Sequence, residues 1–246
     1  MADATHFVQA PTRTPRLGGI RSVAEFRSAD RLGMGGVLEY ISSGCSIAVG
    51  SLELCYPSPA DPQAEKTREG VSTLTGGTVF GLYFGVECWL AGEDYPTEAR
   101  AGLERSEDRG IETALAAWIA GAAGQGVGDT IVDLIAKADD FADGFYAARP
   151  IIVMNRGDAV RAYADGAIDA DKDGNLWTPN GSPVLAGAAF PVGEVDAIGA
   201  ITVHHGDVVV NSTTDHIYNK EYAIAENVYG LVVDCNFRAR FTIAIP

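Results

Sequence analysis

The sequence is short of the residues on which most protein chemistry depends. It has four cysteines, Cys45, Cys55, Cys88 and Cys235, none in a CxxC pair, which excludes a zinc ribbon or a dithiol redox centre as its organising feature. Cys88 in VFGLYFGVECW and Cys235 in GLVVDCNF fall in apolar, strand-like runs. A free thiol there behaves as a small buried hydrophobe, and the pattern predicts a reducing compartment. Basic residues are also scarce: 18 Lys and Arg stand against 33 Asp and Glu, a formal charge of −15. That balance excludes gripping nucleic acid through clustered phosphate contacts. Screening confines the repulsion to roughly 8 Å at physiological salt, so an acidic surface can lie near DNA without holding it. No apolar run reaches the roughly 18 residues of a membrane span, and MADATHFVQAPTRTPR lacks the apolar core of a secretory signal. A protein neither exported nor membrane-inserted by itself is expected, and Asn211-Ser212-Thr213 is then a chance match to a glycosylation acceptor. No fixed-period repeat is present.

What remains is enough for a core. Apolar residues make up 47% of 246, a length that fits one body with extensions or a domain plus a subdomain. Charge is unevenly spread: residues 1–33 hold five Arg against three acids, the remainder 13 basic against 30 acidic residues. Residues 1–36, with Pro11, Pro15 and little periodicity, predict an extended arm. Short β-like runs follow (VLEYI, SIAVGSLEL), then a polar stretch with Pro57, Pro59 and Pro62, then Val71 to Leu90, in which VFGLYFGVECWL predicts a buried strand. Two β-like flanks around a Pro-punctuated tip predict a long projecting hairpin or loop.

The main feature is a long, charge-dense helix from Tyr95 to about Ala122, with Asp94 as N-cap and Pro96 in the first turn. Ala99, Leu103, Gly110, Ile111, Ala114, Leu115, Trp118 and Ile119 form its apolar stripe, for which VFGLYFGVECWL is the nearest docking surface. Arg100 with Glu104, and Arg109 with Glu112, are surface pairs worth about 0.2–0.5 kcal/mol each, too little to hold the helix in place. GAAGQGVG, residues 121–128, predicts a breaker and an internal boundary. The next helix, Asp129 to Tyr146, turns Ile131, Leu134, Ile135, Ala138, Phe141, Ala142 and Phe145 to one face. Pro150 to Met154 predicts a buried strand, Asn155 caps a short helix through Ala167, and a β-rich stretch follows. In the last run Phe237, Ala239, Phe241, Ile243 and Ile245 alternate with Arg238, Arg240 and Thr242, the pattern of a half-buried strand.

The candidate chemical motifs each lack a part. A phosphate loop needs a strand before its glycines and a helix after; here a helix precedes GAAGQGVG. Asp169, Asp171, Asp173 and Gly174 mimic the first half of a calcium loop, but the twelfth position is Asn180 instead of a bidentate acid, so a solvated turn is the simpler outcome. His204 and His205 on a strand point to opposite faces, and no ligand spacing joins them to His216 and Cys235. Gly44-Cys45-Ser46-Ile47-Ala48 lacks the second glycine and the helix of a nucleophile elbow. Among so many carboxylates nothing singles out an acid/base pair. No catalytic residue, cofactor or metal is assigned, and no enzymatic activity is expected.

The order of parts carries a resemblance. VFGLYFGVECWLAGEDYPTEARAGLERSEDRGIETALAAW is similar to the strand leading into the spine helix of HK97-like major capsid proteins of tailed bacteriophages, actinobacteriophages especially. ARPIIVMNRGDAVRAYADGAI with DGNLWTPNGSPVLAGAAF resembles the axial-domain strand, helix and hairpin of that family, and EYAIAENVYGLVVDCNFRARFTIAIP its closing peripheral strands. The resemblance covers most of residues 78–246 and implies an α+β, HK97-like capsid fold. It implies an N-terminal arm (1–36), an extended β-loop and strand (37–92), a spine helix (93–124), an axial domain (125–217) and closing strands of the peripheral domain (218–246). It also implies a homo-oligomer of pentamers and hexamers in an icosahedral shell. Such a shell encloses double-stranded DNA without sequence-specific binding, has scaffold, portal and decoration proteins as partners, is assembled in the host cytoplasm and has no membrane. Arg13, Arg16, Arg21, Lys66, Arg68 and Glu69 are the candidate intersubunit contacts. The lysine–asparagine crosslink of some relatives is not matched. Alternatives are an encapsulin-type nanocompartment, which shares the fold, a carboxylate-based hydrolase, and a calcium-loop binding module.

Overall fold

The computed structural model describes residues 17–29, 32, 38–42, 73–88, 94–216 and 220–244. In chain order the elements are β1 (Ala24–Ser28), β2 (Glu39–Ser42), β3 (Thr73–Gly76), β4 (Thr78–Cys88), α1 (Tyr95–Ile119), β5 (Gly124–Gly128), α2 (Ile131–Phe145), β6 (Ile151–Asn155), α3 (Arg156–Ala164), β7 (Asp169–Ala170), β8 (Leu176–Trp177), β9 (Pro183–Gly187), β10 (Glu194–Ile198), β11 (Ile201–His205), β12 (Val209–Asp215), β13 (Lys220–Val233) and β14 (Arg238–Ile243). The 14-residue β13 organises one sheet: β11 and β12 pair along it, β4 pairs with Glu221 to Leu231, and β1 extends the sheet beyond β11 in parallel. The second sheet runs β5-β14-β10-β6-β9-β8-β7, and among the described residues β2 pairs only with β3.

Helix α1 starts as its sequence dictates. The Asp94 carboxylate accepts from Thr97 N at 3.2 Å and Thr97 Oγ1 at 2.6 Å, which satisfies an orphan donor of the first turn and lowers the pKa of Asp94. Its stripe Ala99, Leu103, Ile111, Leu115 and Ile119 is buried. The N-terminal half packs with Ala223 and Ala225 of β13 and with Leu82, Phe84 and Val86 of β4. Two glycines make that approach possible: a Cβ on Gly102 would overlap the Phe84 ring, and one on Gly110 would sit 2.6 Å from Leu82. The C-terminal half, with Ile20, packs into the core between the two sheets, against Ile151, Val153, Leu185 and Ile198 on one side and Val203, Tyr229 and Leu231 on the other. On the opposite face of the second sheet lie α2 and α3, over Ile152, Met154, Val184, Ala186, Val195, Ala239 and Phe241.

Several expectations need correction. Residues 17–28 are not part of an arm: Ile20 is fully buried, Gly18 O accepts from Ala186 N, and β1 is a sheet strand. Residues 124–128 form β5 rather than a breaker. Parallel pairing with β14 supplies the hydrogen bonds, and the missing side chain of Gly126 leaves room for the Phe241 ring. β4 is buried on one face only; Tyr83 and Val79 of the other face are exposed, because nothing described covers that side. Glu112 is fully buried and accepts from Ile20 N instead of lying on the surface with Arg109. Trp118 is half-buried beneath the Arg238 guanidinium, 4.6 Å from its ring centroid. On α2, Val132 and Phe145 are exposed. Burial there rests on Ile131, Leu134, Ile135 and, in part, Phe141, about 6–12 kcal/mol gross at 1.5–3 kcal/mol per side chain.

The sheets also do not divide at residue 217. β11 and β12 belong with β13, while β14, drawn from the closing strands, crosses to pair with β10 and β5. The crossing occurs at the turn Asp234–Asn236, where Cys235 and Asn236 have φ 58° and 48°. Cys235 is disulfide-bonded, not the free strand thiol expected. It stands half-buried in a left-handed turn past the end of β13, outside the dry interior that would make it inert.

Candidate functional site: the α1 seam and the surfaces beside it

The junction of the two sheets is closed by the strap 17–28. Leu17 O accepts from Arg156 Nη1 at 3.1 Å. Arg21, one of the candidate contact residues, reaches back to its own α1, with Nε 2.7 Å from Asp108 Oδ1 and Nη2 2.5 Å from Glu107 Oε2. Its guanidinium also lies 4.5 Å from the Phe26 ring centroid. Arg21 thus bonds within the chain, because the strap runs over α1, while about half of its side chain stays exposed. Arg13, Arg16, Lys66, Arg68, Glu69 and the Gly44–Ala48 segment lie outside the described residues. Beneath the strap, Tyr229 stacks on Phe80 at 5.7 Å. Burial, and then the charge of Glu107, push its phenol well above the ordinary range, so it remains a neutral hydrogen-bonding group.

Two surfaces beside this seam are open. The outer face of the five-stranded sheet exposes Tyr83 at 76%, Val209 at 51% and Ile224 at 44%. They share one patch: Tyr83 and Val209 flank Glu226 of β13, one pair along from Ile224. Among the described residues the second edge of β4 carries no ladder partner over 11 residues, and such an edge is a template for a further strand. The base of the expected projecting loop is present as the antiparallel β2–β3 pair, Glu39 opposite Gly76 and Ser42 opposite Thr73. Its tip lies outside the described residues.

The chemical candidates resolve into structural roles. Asp171 Oδ1 accepts from Asp173 N and Asn175 N, and Oδ2 from Asn175 Nδ2 and Trp177 Nε1. These bonds lower its pKa and make it the organiser of the β7–β8 turn. Asp169, on β7, is placed by pairing with Trp177. Among the described residues no group of three or more His, Cys, Asp or Glu is arranged to hold a metal. His204 and His205 are consecutive on β11; burial lowers the pKa of His204, and His205 Nδ1 lies 3.1 Å from Gly206 O. Asp196 is pushed up to about 6 by burial, against the lowering effect of Arg240, whose Nε lies 2.9 Å away. A near-neutral carboxyl is the property of a general acid. Its 2%-exposed side chain, however, is buried between strands against Arg240, which also reaches Glu194.

The structure adds two buried carboxylates that sequence reasoning passed over. Asp158 accepts from Gly193 N and Arg161 Nη1. Asp139 accepts from Ser182 Oγ at 2.6 Å and Asn180 Nδ2 at 2.8 Å, pinning the β8–β9 turn to α2. Asp158 carried a signal, an acid in the first turn of α3; Asp139 carried none, since its donors lie about forty residues away.

Comparison with known proteins matches this arrangement along its whole length. No family model and no curated protein matches the sequence. Among solved structures, a chain of the capsid of cyanophage P-SCSP1u is similar at TM-score 0.55 and 12% identity, over 100% of this chain and 94% of that one. A chain from Mycobacterium phage Che8 is similar at TM-score 0.59 and 15% identity, over 98% and 96%. The capsid of a native GTA particle gives TM-score 0.58 and 13% identity, over 100% and 96%. The sheets hung on β13, the long α1 and the helix-covered second sheet therefore constitute an α+β, HK97-like capsid fold.

Proposed function

We propose that this chain is a structural subunit that assembles with copies of itself into an icosahedral capsid around phage double-stranded DNA. One observation carries the proposal: the fold is shared, almost end to end, with chains that build the capsids of a cyanophage and of a GTA particle. Three features support it. β4 has an open edge among the described residues; the adjacent sheet face exposes Tyr83, Val209 and Ile224; and the β2–β3 base would project its loop away from the body. Repeated side-by-side placement of one subunit in rings covers such surfaces, as heterologous contacts do. The charge of −15 suits a wall that encloses DNA without clamping it.

In this reading α1 is the spine helix of the peripheral part, and the sheet containing β6, β9 and β10 is the axial part. Pentamers and hexamers form the shell, with scaffold, portal and decoration proteins as further partners and the host cytoplasm as the place of assembly. Arg13, Arg16, Lys66, Arg68 and Glu69 remain the proposed intersubunit contacts. Arg21 stays in that set: it bonds Glu107 and Asp108 of its own chain, but about half of its side chain is exposed. The subunit acts by position and has no catalytic role. Expression alone and together with its flanking genes, followed by sedimentation, tests the proposal. Fast-sedimenting particles in either preparation support it; a monomer or small closed oligomer in both overturns it.

A further inference from the structure

The β8–β9 turn, Thr178 to Ser182, contains the one Asn-Gly pair of the sequence, Asn180-Gly181. Gly181 adopts φ +85°, and a Cβ built on it would find only the Arg149 guanidinium carbon, at 4.0 Å. Asn180 is exposed at the rim of an open depression that Asp139, Asp140, Asp143 and Arg149 also line. Its Nδ2 donates to Asp139 Oδ2 at 2.8 Å; Ser182 Oγ donates to Oδ1 at 2.6 Å, and Thr178 Oγ1 lies 3.4 Å from Oδ2. Asp139 is only 9% exposed, so this carboxylate depends on the donors of the turn for its solvation.

We propose that Asn180 is a self-modifying site, at which the side-chain amide converts to a carboxylate and thereby undocks the β8–β9 turn from α2. The nucleophile is the main-chain nitrogen of Gly181, unobstructed because its residue has no side chain. In the closed turn its N–H donates to Thr178 O at 2.8 Å, so opening of the turn gates the reaction. Once free, Gly181 N attacks the Asn180 side-chain carbonyl carbon. A carbon–nitrogen bond forms, the bond to Nδ2 breaks, and Nδ2 leaves as ammonia with the Gly181 proton. Water then opens the succinimide at either carbonyl, giving aspartate or isoaspartate; nothing is oxidised or reduced.

The product replaces a donor by a second anion at hydrogen-bond distance from Asp139. Two carboxylates so placed cannot both ionise without cost. Asp140 and Asp143 line the same depression, and Arg149 is the only cation among its described lining residues. The turn lifts, and with it the connection into β9. With the ammonia lost to solvent, the amide does not re-form. It acts within one subunit and does not depend on shell assembly.

The test is peptide mapping of the purified full-length chain during prolonged incubation at mildly alkaline pH, with the Asn211-Ser212 peptide as internal reference. Residue 180 should gain acid, as aspartate and isoaspartate, about tenfold faster than residue 211, because only the former is followed by glycine. Asn180→Asp should lower Tm by about 4–8 °C. The exchange variant Asp139→Asn with Asn180→Asp, which restores one amide and one carboxylate, should recover most of that loss. Equal rates at residues 180 and 211 would overturn the modification. An unchanged Tm in Asn180→Asp, or an exchange variant less stable than Asn180→Asp alone, would overturn the undocking.

Discussion

Replacing Gly102 by alanine sets two opposed effects against each other. In a solvent-facing helix interior, alanine gains about 0.8–1.0 kcal/mol over glycine through lower backbone entropy. Gly102, however, is buried against Phe84, and the new Cβ would overlap the ring, with even the ring's Cγ atom only 2.8 Å away. The ring has little room to retreat, since it packs in a cluster with Tyr95, Ala99, Leu103, Ala223 and Ala225. Overpacking of this kind costs about 1–3 kcal/mol; with two ring carbons overlapping the new Cβ the cost falls in the upper part of that range, so after the propensity gain Gly102→Ala should lose about 1–2 kcal/mol. For a chain of this length that is a fall in Tm of about 2–8 °C. Gly144, on the exposed side of α2 with nothing within 4 Å of its virtual Cβ, is the control: Gly144→Ala should gain up to about 1 kcal/mol. Urea and thermal unfolding of both variants decide the matter. Adding Phe84→Leu to Gly102→Ala should return part of the loss as a coupling between the two sites. Gly102→Ala melting at or above the wild type would refute the packing of α1 on β4.

Two further expectations concern the strap and the buried acid. Ile20→Ala should cost about 2–5 kcal/mol, as a fully buried side chain does, and deletion of residues 1–33 should unfold the body; a folded 1–33 deletion would contradict the placement of residues 17–28. Asp196 titrates near 6 in the folded chain, above its unfolded value. The folded state therefore binds the extra proton between about pH 4 and 6, and the resulting stability is present below that window and lost as pH rises through 6. Between pH 7 and 5 the wild type should gain roughly 1–1.5 kcal/mol relative to Asp196→Asn; a constant difference across that range would show that the carboxyl is not shifted.

Elements held by local rules were legible in the sequence. Asp94 and Asn155 cap α1 and α3 through their side chains as expected, and the i, i+4 spacing of Ala99, Leu103, Ile111, Leu115 and Ile119 marks the buried stripe of α1. PIIVM and the alternation through Ala239 and Phe241 gave β6 and β14. Elements whose reason lies far along the chain were not legible. The glycine run 124–128 is a strand through its pairing with β14, and the buried Glu112 takes its donor, Ile20 N, from 92 residues away. The bonds of Arg21 to Glu107 and Asp108 were equally hidden, since the strap 17–28 brings these groups together across more than eighty residues. The calcium-like run 169–174 shows the converse. Its acids form a real local pattern, but the pattern is a turn, with both oxygens of Asp171 engaged by donors.

Negative-stain electron microscopy of the full-length chain, expressed with its flanking genes, tests the central claim most directly. The account predicts closed icosahedral shells with walls one subunit thick. Fields of single compact molecules, with no shells in any preparation, would contradict it.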